Sequence, residues 1–377
     1  MKNFRNIVKG IIRYLITFII SIFCPIKDKV VFRSFGGAQY SDNPRAISEK
    51  MHELYPNIEI VWILNNVIPE LPEYVRAITT KSLKYFYDMA TMRCFITNVE
   101  YTGLYYKRQG QIFIQTWHGD RGFKKCLYQV DATLDITDNR YTDIYMTGSD
   151  FACEFCKSAF RYFGTLTKYG SPRNDILLNH TKEYIANIKH KLNIEDKTKI
   201  LLYAPTFNDK NVILGKKQTT DLNITRILSI LERKYSNRWI ALVRAHSLSC
   251  GLNMSDSSNK IIDVTNYYDI ADLLLISDWL LSDYSSVMGD FILTGKPIVL
   301  IDFNRDEFIR EARDFCVDID EVGYKIAHSQ NELENMICSL TLEDFKNSCE
   351  LVKKYYGTHE TGEASIRICD FIAKSMR

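Results

Sequence analysis

The sequence predicts an α/β protein of two similar halves, each built on a parallel sheet. One amphipathic helix precedes both halves at the N-terminus. Short β-branched and aromatic runs alternate with helical stretches from about residue 29 onward, which is the rhythm of βαβ units. This rhythm is interrupted by a polar helical stretch at residues 175–192 and then begins again. The chain has 377 residues, of which 46% are apolar, enough for about two globular domains.

The first 25 residues form a segment of their own. Its polar residues recur every four positions: Lys9, Arg13, Thr17 and Ser21. On a helix they make one polar stripe among Ile, Leu and Phe. The mostly apolar run without a charged residue, residues 14–24, is shorter than the ~20 residues that a spanning helix needs, and no small-residue cleavage site precedes Pro25. These features predict a helix lying in the membrane interface, with a buried core helix as the alternative.

The remaining chain divides into a first half, residues 26–185, and a second half, residues 186–377. In the first half, strands are predicted at 29–32, 58–64, 94–98, 111–116, 144–147 and 167–170, and helices at 43–54, 81–91 and 150–160. In the second half, strands are predicted at 200–204, 239–244, 261–264, 279–282 and 298–301, and helices at 225–234, 270–276, 287–294, 329–336 and 342–355. Two such halves leave a cleft between the carboxyl ends of their sheets, where open α/β sheets bind ligands.

Composition and motifs exclude several classes of protein. A formal net charge of +2 argues against a broadly basic surface, so no nucleic acid is expected as a partner. The ten cysteines are irregularly spaced, as in a chain of reduced thiols rather than a small disulfide-rich domain. Neither G-x-G-x-x-G nor G-x-x-x-x-G-K-[ST] occurs, so a dinucleotide-dependent oxidoreductase and a P-loop NTPase have no motif support.

Ser285 and Ser286 follow the predicted strand at 279–282 and precede an apolar helical stretch. A helix start presents unpaired N–H groups and a partial positive charge, and the two hydroxyls can donate as well. The pair is therefore a candidate phosphate or pyrophosphate site. Simple helix capping is the alternative, because serine is favoured at any helix start.

Two histidines end strands of different halves. His118 follows the strand at 111–116 and His246 follows the strand at 239–244, so both are expected to face the same cleft. A neutral imidazole takes a proton from an attacking hydroxyl, and a charged imidazole stabilises phosphate oxygens. A satisfied structural role is the alternative for each histidine.

Two more polar positions lie at strand ends. Arg173, followed by Asn174 and Asp175, closes the first half, where its guanidinium would reach a phosphate in the cleft. Thr206 ends the first strand of the second half and offers a hydroxyl to a ligand. Turn formation and strand termination are the alternative explanations.

No metal site is expected. Cys153-x-x-Cys156 is a single pair without a second, so zinc is not supported. Asp318-Ile319-Asp320 resembles a pair that holds a divalent ion, but it lies far along the chain from the other candidate groups.

Six stretches resemble the CDP-glycerol glycerophosphotransferase family, the teichoic-acid primases and polymerases. They are Ser41-Asp42-Asn43-Pro44-Arg45, Thr116-Trp117-His118-Gly119 with Lys124-Lys125, Gly170-x-Pro172-Arg173-Asn174-Asp175, Leu202-Tyr203-Ala204-Pro205-Thr206, Arg244-x-His246, and a run at 277–290 that includes Asp283, Ser285, Ser286 and Asp290. The resemblance implies a GT-B-like fold of two facing Rossmann-like domains. It also implies that no metal or other cofactor is needed and that the protein is peripheral, at the cytoplasmic face of the cell membrane, where a homo-oligomer is conceivable.

The same resemblance implies an activity. The enzyme would transfer glycerol phosphate, or a related polyol phosphate, from CDP-glycerol to a hydroxyl of a membrane lipid-linked glycan or polyol-phosphate chain, releasing CMP, in teichoic-acid-like or capsular polymer synthesis. His118 and His246 would be catalytic. The substrate-binding residues would be Arg173, Asn174, Asp175, Thr206, Arg244, Asp283, Ser285, Ser286 and Asp290. The alternatives are a GT-B glycosyltransferase with a nucleotide-sugar donor and an inactive membrane scaffold of the same pathway.

The sequence departs from the family pattern beside His118. Asp120 and Arg121 stand where the wall-teichoic enzymes usually carry threonine and an apolar residue. Because this loop is expected beside the transfer site, the departure predicts a different acceptor or a different polyol. A second departure is Thr361, which takes the place of an aspartate in the family's Asp-Gly-x-Ala-Ser run.

Overall fold

The computed structural model describes residues 2–66, 68, 71–101, 103–134, 137–206, 222–245, 260–311 and 314–376. Its strands are β1 Lys29–Arg33, β2 Glu59–Ile63, β3 Val75–Ile78, β4 Cys94–Thr97, β5 Ile112–Gln115, β6 Ile144–Met146, β7 Thr165–Thr167, β8 Lys199–Tyr203, β9 Trp239–Val243, β10 Ile261–Asp263, β11 Trp279–Ser282, β12 Ile298–Ile301 and β13 Lys325–Ala327. All neighbouring strands pair in parallel, in the orders β3-β2-β1-β4-β5-β6-β7 and β10-β9-β8-β11-β12-β13. The predicted pair of parallel, Rossmann-like sheets is confirmed.

The helices cover the faces of both sheets. They are α1 Lys2–Phe23, α2 Asp42–Leu54, α3 Leu83–Thr91, α4 Asp150–Ala159, α5 Asp175–Leu178, α6 Lys182–Lys191, α7 Ile224–Tyr235, α8 Ile270–Ile276, α9 Val287–Phe291, α10 Arg305–Glu311, α11 Gln330–Ser339, α12 Leu342–Tyr356 and α13 Ala364–Ser375. The predicted helix at 175–192 is wrong in one respect, because the structure divides it into α5 and α6.

The sequence prediction missed β3, β13, α10 and α13, and it placed β7 two residues too late. Strands β3 and β13 are short edge strands, and only their last residues, Ile78 and Ala327, are buried. A strand that is open to solvent on its edge has no need of the apolar pattern by which strands are recognised. The central strands β4, β9, β11 and β12 are buried at every residue and were predicted closely.

Segments on both sides of the predicted boundary between residues 185 and 186 pack on the other half. Leu177 of α5, which precedes that boundary, lies in the apolar core of the second sheet, as does Ile188 of α6. Ile368 and Cys369 of α13 lie in the core of the first sheet, at the far end of the chain. The last helix therefore crosses back to the first domain, and each sheet is completed by a segment from the other half of the sequence.

Helix α1 lies on the first domain with its polar side inward. Thr17 is buried, and its hydroxyl accepts a hydrogen bond from the amide of Tyr106 at 2.8 Å. Arg108 donates to the carbonyl of Ser21 at 2.7 Å. The apolar side faces outward instead, through Ile11, Ile12, Leu15, Phe18, Ile19, Ile22 and Phe23, all exposed. Among the described residues, none of the helices combines the length and apolar character that crossing a bilayer requires.

Candidate active site at the interdomain cleft

His118 lies on the loop that follows β5, at the carboxyl edge of the first sheet. Its Nδ1 is 2.8 Å from the carbonyl oxygen of Asn98, which follows β4. Because a carbonyl only accepts, Nδ1 carries the hydrogen and Nε2 keeps a free lone pair. The imidazole is thus held in the tautomer that a base acting through Nε2 requires.

Burial lowers the pKa of His118 below its usual value. The hydrogen bond to Asn98 and the carboxylate of Asp42 act against this shift, and the cations of Arg173 and Lys124 act with it. The ring is therefore neutral at neutral pH, which is the form that can accept a proton.

The loop after His118 meets the second domain at Ser286. A Cβ atom added to Gly119 would lie 3.0 Å from the hydroxyl oxygen of Ser286, a tight contact that only glycine leaves comfortable. Ser286 begins α9, its side chain makes no capping hydrogen bond, and both Ser285 and Ser286 are half-buried. The histidine loop and the serine pair, predicted to face one cleft, lie next to each other.

Arg244 follows β9 on the second domain and is half-buried. Its Nη1 is buried and has no hydrogen-bond partner among the described residues. Burial lowers the pKa of Arg244, while the carboxylates of Asp269 and Asp42 act against the shift. A buried guanidinium N–H without a partner is an incomplete arrangement that an anionic ligand would complete.

Thr206 and Asp283 bring two strand ends of the second sheet together. The amide of Thr206, which follows β8, donates to Oδ1 of Asp283, which follows β11, at 2.5 Å. Burial raises the pKa of Asp283, and its hydrogen bonds to Thr206 act against the shift. His246, the second predicted catalytic residue, lies outside the described residues.

Arg173 lies in the buried interface between the domains. Its Nη1 donates to Oδ2 of Asp42 at 2.7 Å and to the carbonyl of His118 at 2.6 Å. Its Nη2 donates to Oδ2 of Asp290 at 2.6 Å. Asn174 donates to the same aspartate at 2.9 Å. These contacts favour a positioning role for Arg173, Asn174 and Asp290 over direct contact with a phosphate.

Asp175, predicted to bind substrate, caps a helix instead of facing the cleft. Its two carboxylate oxygens accept the amides of Ala364 at 3.0 Å and Ser365 at 2.7 Å, in the first turn of α13. The residue that precedes this helix, Glu363, makes no capping hydrogen bond of its own. Asp175 therefore ties the returning helix to the linking segment.

Arg121, in the loop predicted to lie beside the transfer site, also joins the domains. Its side chain is fully buried and donates to the carbonyl of Gly289 at 2.7 Å and to Glu360 at 2.9 Å through both terminal nitrogens. Asp120 and Asp290 complete the surroundings at 2.9 and 3.3 Å. Because its side chain is fully buried, Arg121 does not contact a substrate directly from this position.

Sequence reasoning assigned no individual role to Asp42, Asn43 or Glu360. Asp42 and Asn43 belong to a quoted motif that carried no chemistry of its own, whereas Glu360 stood outside the quoted motifs. Among the described residues, no group of three or more His, Cys, Asp or Glu side chains is arranged to hold a metal ion. Asp320, weighed as a metal ligand, makes two hydrogen bonds with Arg305 at 2.7 and 2.8 Å.

The fold and the cleft define a protein of two Rossmann-like domains, each built on a parallel sheet. The family model described as CDP-Glycerol:Poly(glycerophosphate) glycerophosphotransferase matches residues 16–374. The chain belongs to this family, as its motifs predicted.

Individual relatives agree with this assignment. The chain is 30% identical to a teichoic acid poly(glycerol phosphate) polymerase of Staphylococcus epidermidis over 92% of its own length, and it spans about half of that relative (51%). It is 28% identical to a teichoic acid glycerol-phosphate transferase of Staphylococcus aureus over 98% of this chain and 100% of the relative. The solved structure of the wall teichoic acid polymerase TagF matches with a TM-score of 0.81 and 26% identity, over 100% of this chain and 97% of that chain. The predicted fold is confirmed, and the family and these relatives are transferases, as predicted.

Proposed function

We propose that this chain transfers glycerol phosphate, or a related polyol phosphate, from CDP-glycerol to a hydroxyl group of a lipid-linked acceptor and releases CMP. One observation carries the proposal: the loop of His118, whose Nε2 is free to act as a base, contacts Ser286 at the start of α9 across the cleft. A base and a phosphate-binding helix start then face the same space from different domains.

In the proposed mechanism, Nε2 of His118 takes the proton of the acceptor hydroxyl as its oxygen attacks the glycerol-side phosphorus. The new oxygen–phosphorus bond forms as the bond from that phosphorus to the oxygen of CMP breaks. The second pKa of a phosphate monoester is about 6, so CMP leaves without needing a proton. A single base is therefore enough for the reaction.

The charge on the diphosphate would be balanced by protein groups. Arg244 supplies a buried N–H without a partner among the described residues, and Ser285 and Ser286 supply hydroxyls and the helix start. His246 is proposed to add a second imidazole. Phosphoryl transfer depends mainly on positioning and charge neutralisation, and loss of one such donor typically costs ~3 kcal/mol in the barrier.

The relatives of this chain include both glycerol-phosphate and ribitol-phosphate enzymes. The matches include a teichoic acid ribitol-phosphate primase of Bacillus spizizenii, 27% identical over 99% of this chain, beside the glycerol-phosphate enzymes. CDP-glycerol is proposed first because two glycerol-phosphate relatives match at higher identity, 30% and 28%, over more than nine-tenths of the chain. Incubation with CDP-glycerol, CDP-ribitol and UDP-sugars, with the released nucleotide identified, separates the three donors.

We also propose that α1 holds the enzyme on the cytoplasmic face of the cell membrane without crossing it. Tyr106 and Arg108 donate hydrogen bonds to the side of α1 that faces the first domain, and the outward side of α1 is apolar. Lys9 is exposed on α1 and Lys27 is exposed after the helix ends at Phe23, where both would meet anionic headgroups. The lipid-linked acceptor would then be met at the surface where it resides.

The test of the transfer reaction is His118→Ala, with His180→Ala as the matched control, since His180 is exposed in the loop between α5 and α6. CMP release with CDP-glycerol and a synthetic lipid-linked acceptor should fall by about 10²- to 10⁴-fold in His118→Ala only. Calorimetry should show that CDP-glycerol still binds. Wild-type CMP release from a folded His118→Ala variant rejects the proposal.

A further inference from the structure

The backbone around His118 is held by side chains rather than by strand pairing. The carbonyls of three consecutive residues, Thr116, Trp117 and His118, each accept a side-chain hydrogen bond. Trp117 has a φ of 51°, in the left-handed region that a bulky side chain rarely adopts. A strained turn of this kind persists only where its surroundings enforce it.

Asn43 supplies two of these hydrogen bonds, while the hydroxyl of Thr116 also donates to the carbonyl of Trp117 at 3.2 Å and Oε1 of Gln115 accepts the amide of Trp117 at 3.0 Å. Nδ2 of Asn43 donates to the carbonyl of Trp117 at 3.0 Å and, more weakly, to that of Thr116 at 3.4 Å. Its Oδ1 accepts the amide of Arg173 at 3.0 Å. The residue is 3% exposed. Asn43 is therefore the side chain that links the turn before His118 to the backbone of Arg173, whose guanidinium holds the His118 carbonyl.

We infer that Asn43 is a positioning residue for the transfer reaction, acting through the turn at Trp117 to aim Nε2 of His118 into the cleft. The inference rests on the proposed role of His118 as the base. The side-chain hydrogen bonds of Asn43 go to the backbone of Thr116, Trp117 and Arg173 and not to the imidazole. It belongs to the Ser41–Arg45 stretch, whose role in the chemistry the sequence left unassigned.

The isosteric change Asn43→Asp separates hydrogen bonding from packing. It keeps the volume and the acceptor for Arg173, but it replaces the donor to Trp117 with a carboxylate oxygen facing a carbonyl. The turn should relax. Misplacement of a reacting group by about 1 Å lowers the rate by roughly 100-fold, so kcat should fall by that order while KM for CDP-glycerol stays unchanged.

The pH profile of Asn43→Ala, which removes the same donor without adding a carboxylate near His118, gives a second readout that a purely structural role would not move. Burial holds the pKa of His118 down, so a relaxed loop should shift the acid limb of kcat towards higher pH. Asn179→Asp is the matched control. Asn179 is exposed and donates to the carbonyl of Gly362, another left-handed residue, at 2.7 Å.

The outcomes distinguish this inference from the proposed function. A folded Asn43→Asp variant with wild-type kcat, together with an unmoved acid limb in Asn43→Ala, overturns the positioning role while leaving His118 as the base. A fall in kcat that is matched by Asn179→Asp also overturns it. Loss of the proposed function itself would show in the wild-type enzyme or in His118→Ala. If Asn43→Asp does not fold, Asn43→Ala carries the kcat test, because it also removes the donor to Trp117.

Discussion

Arg121 and Glu360 are 239 positions apart in the sequence, yet both terminal nitrogens of Arg121 donate to Oε1 of Glu360 at 2.9 Å inside the interdomain interface. Glu360 belongs to the segment that returns the chain to the first domain. Oε2 of Glu360 accepts the amide of Ser171 at 2.9 Å. The pair therefore fastens the His118 loop, the linking segment and the returning segment together.

Removal of Arg121 should destabilise the protein strongly. Arg121→Met removes the cation that pairs with Glu360, Asp120 and Asp290. Removal of one partner from a buried ion pair costs about 3–5 kcal/mol of stability. Urea unfolding measures the change. Arg238→Met is the control, because Arg238 pairs with Glu195 at an exposed site, where such pairs contribute about 0–1 kcal/mol.

The same variant should respond to pH with a defined sign. Burial raises the pKa of Glu360, and Arg121 acts against that shift, so without Arg121 the folded-state pKa rises further. When a carboxyl has a higher pKa in the folded state than in the unfolded state, the folded protein is most stable while that carboxyl is protonated. The free energy of unfolding then falls as the pH rises. The destabilisation by Arg121→Met should be larger at pH 8 than at pH 5. An equal loss at both pH values would contradict the electrostatic explanation.

Lys124 should tune the base. Its cation is one of the groups that lower the pKa of His118, so Lys124→Met should raise that pKa. The base must be neutral to act, and the acid limb of kcat/KM should therefore move to higher pH. Lys125→Met is the control, since Lys125 pairs with Asp314 instead. A profile unchanged by Lys124→Met, or moved equally by both variants, would argue against His118 as the titrating group.

The outward face of α1 should decide membrane binding. Ile19 is 54% exposed, and burial of one such side chain contributes about 1.5–3 kcal/mol. Ile19→Glu should therefore lower sedimentation with vesicles of phosphatidylglycerol and phosphatidylcholine by more than about tenfold. Leu351→Glu, at an equally exposed apolar residue of α12, should leave it unchanged. Undiminished vesicle binding by Ile19→Glu would refute the α1 anchor.

Asp175 should matter for stability and not for donor binding. Loss of a helix cap typically costs about 1–2 kcal/mol, and Asp175→Ala removes the acceptor for two amides of α13. Ser329→Ala removes a comparable cap from α11 and serves as the control. Both variants should unfold at lower urea concentration with an unchanged KM for CDP-glycerol. A raised KM in Asp175→Ala alone would return this residue to the binding site.

The sequence by itself determined the two parallel sheets and the meeting of the His118 loop with Ser286 at their carboxyl edges. The reason is physical: central strands must be apolar throughout, and the carboxyl ends of parallel strands share one edge, so strand order along the chain already places these groups. The six motifs and their order along the chain identified the family, and the family match confirms it.

Only the tertiary structure decided what holds that cleft in shape. The pairs Arg121–Glu360 and Arg173–Asp290 join residues more than a hundred positions apart, and a charge leaves no periodic trace of its partner in the sequence. The return of α13 to the first domain is hidden for the same reason, because an amphipathic helix shows that it has a buried face but not which core receives it. Arg173 and Asp175 were therefore predicted to contact substrate, whereas their contacts show one bound between two carboxylates and the other capping a helix.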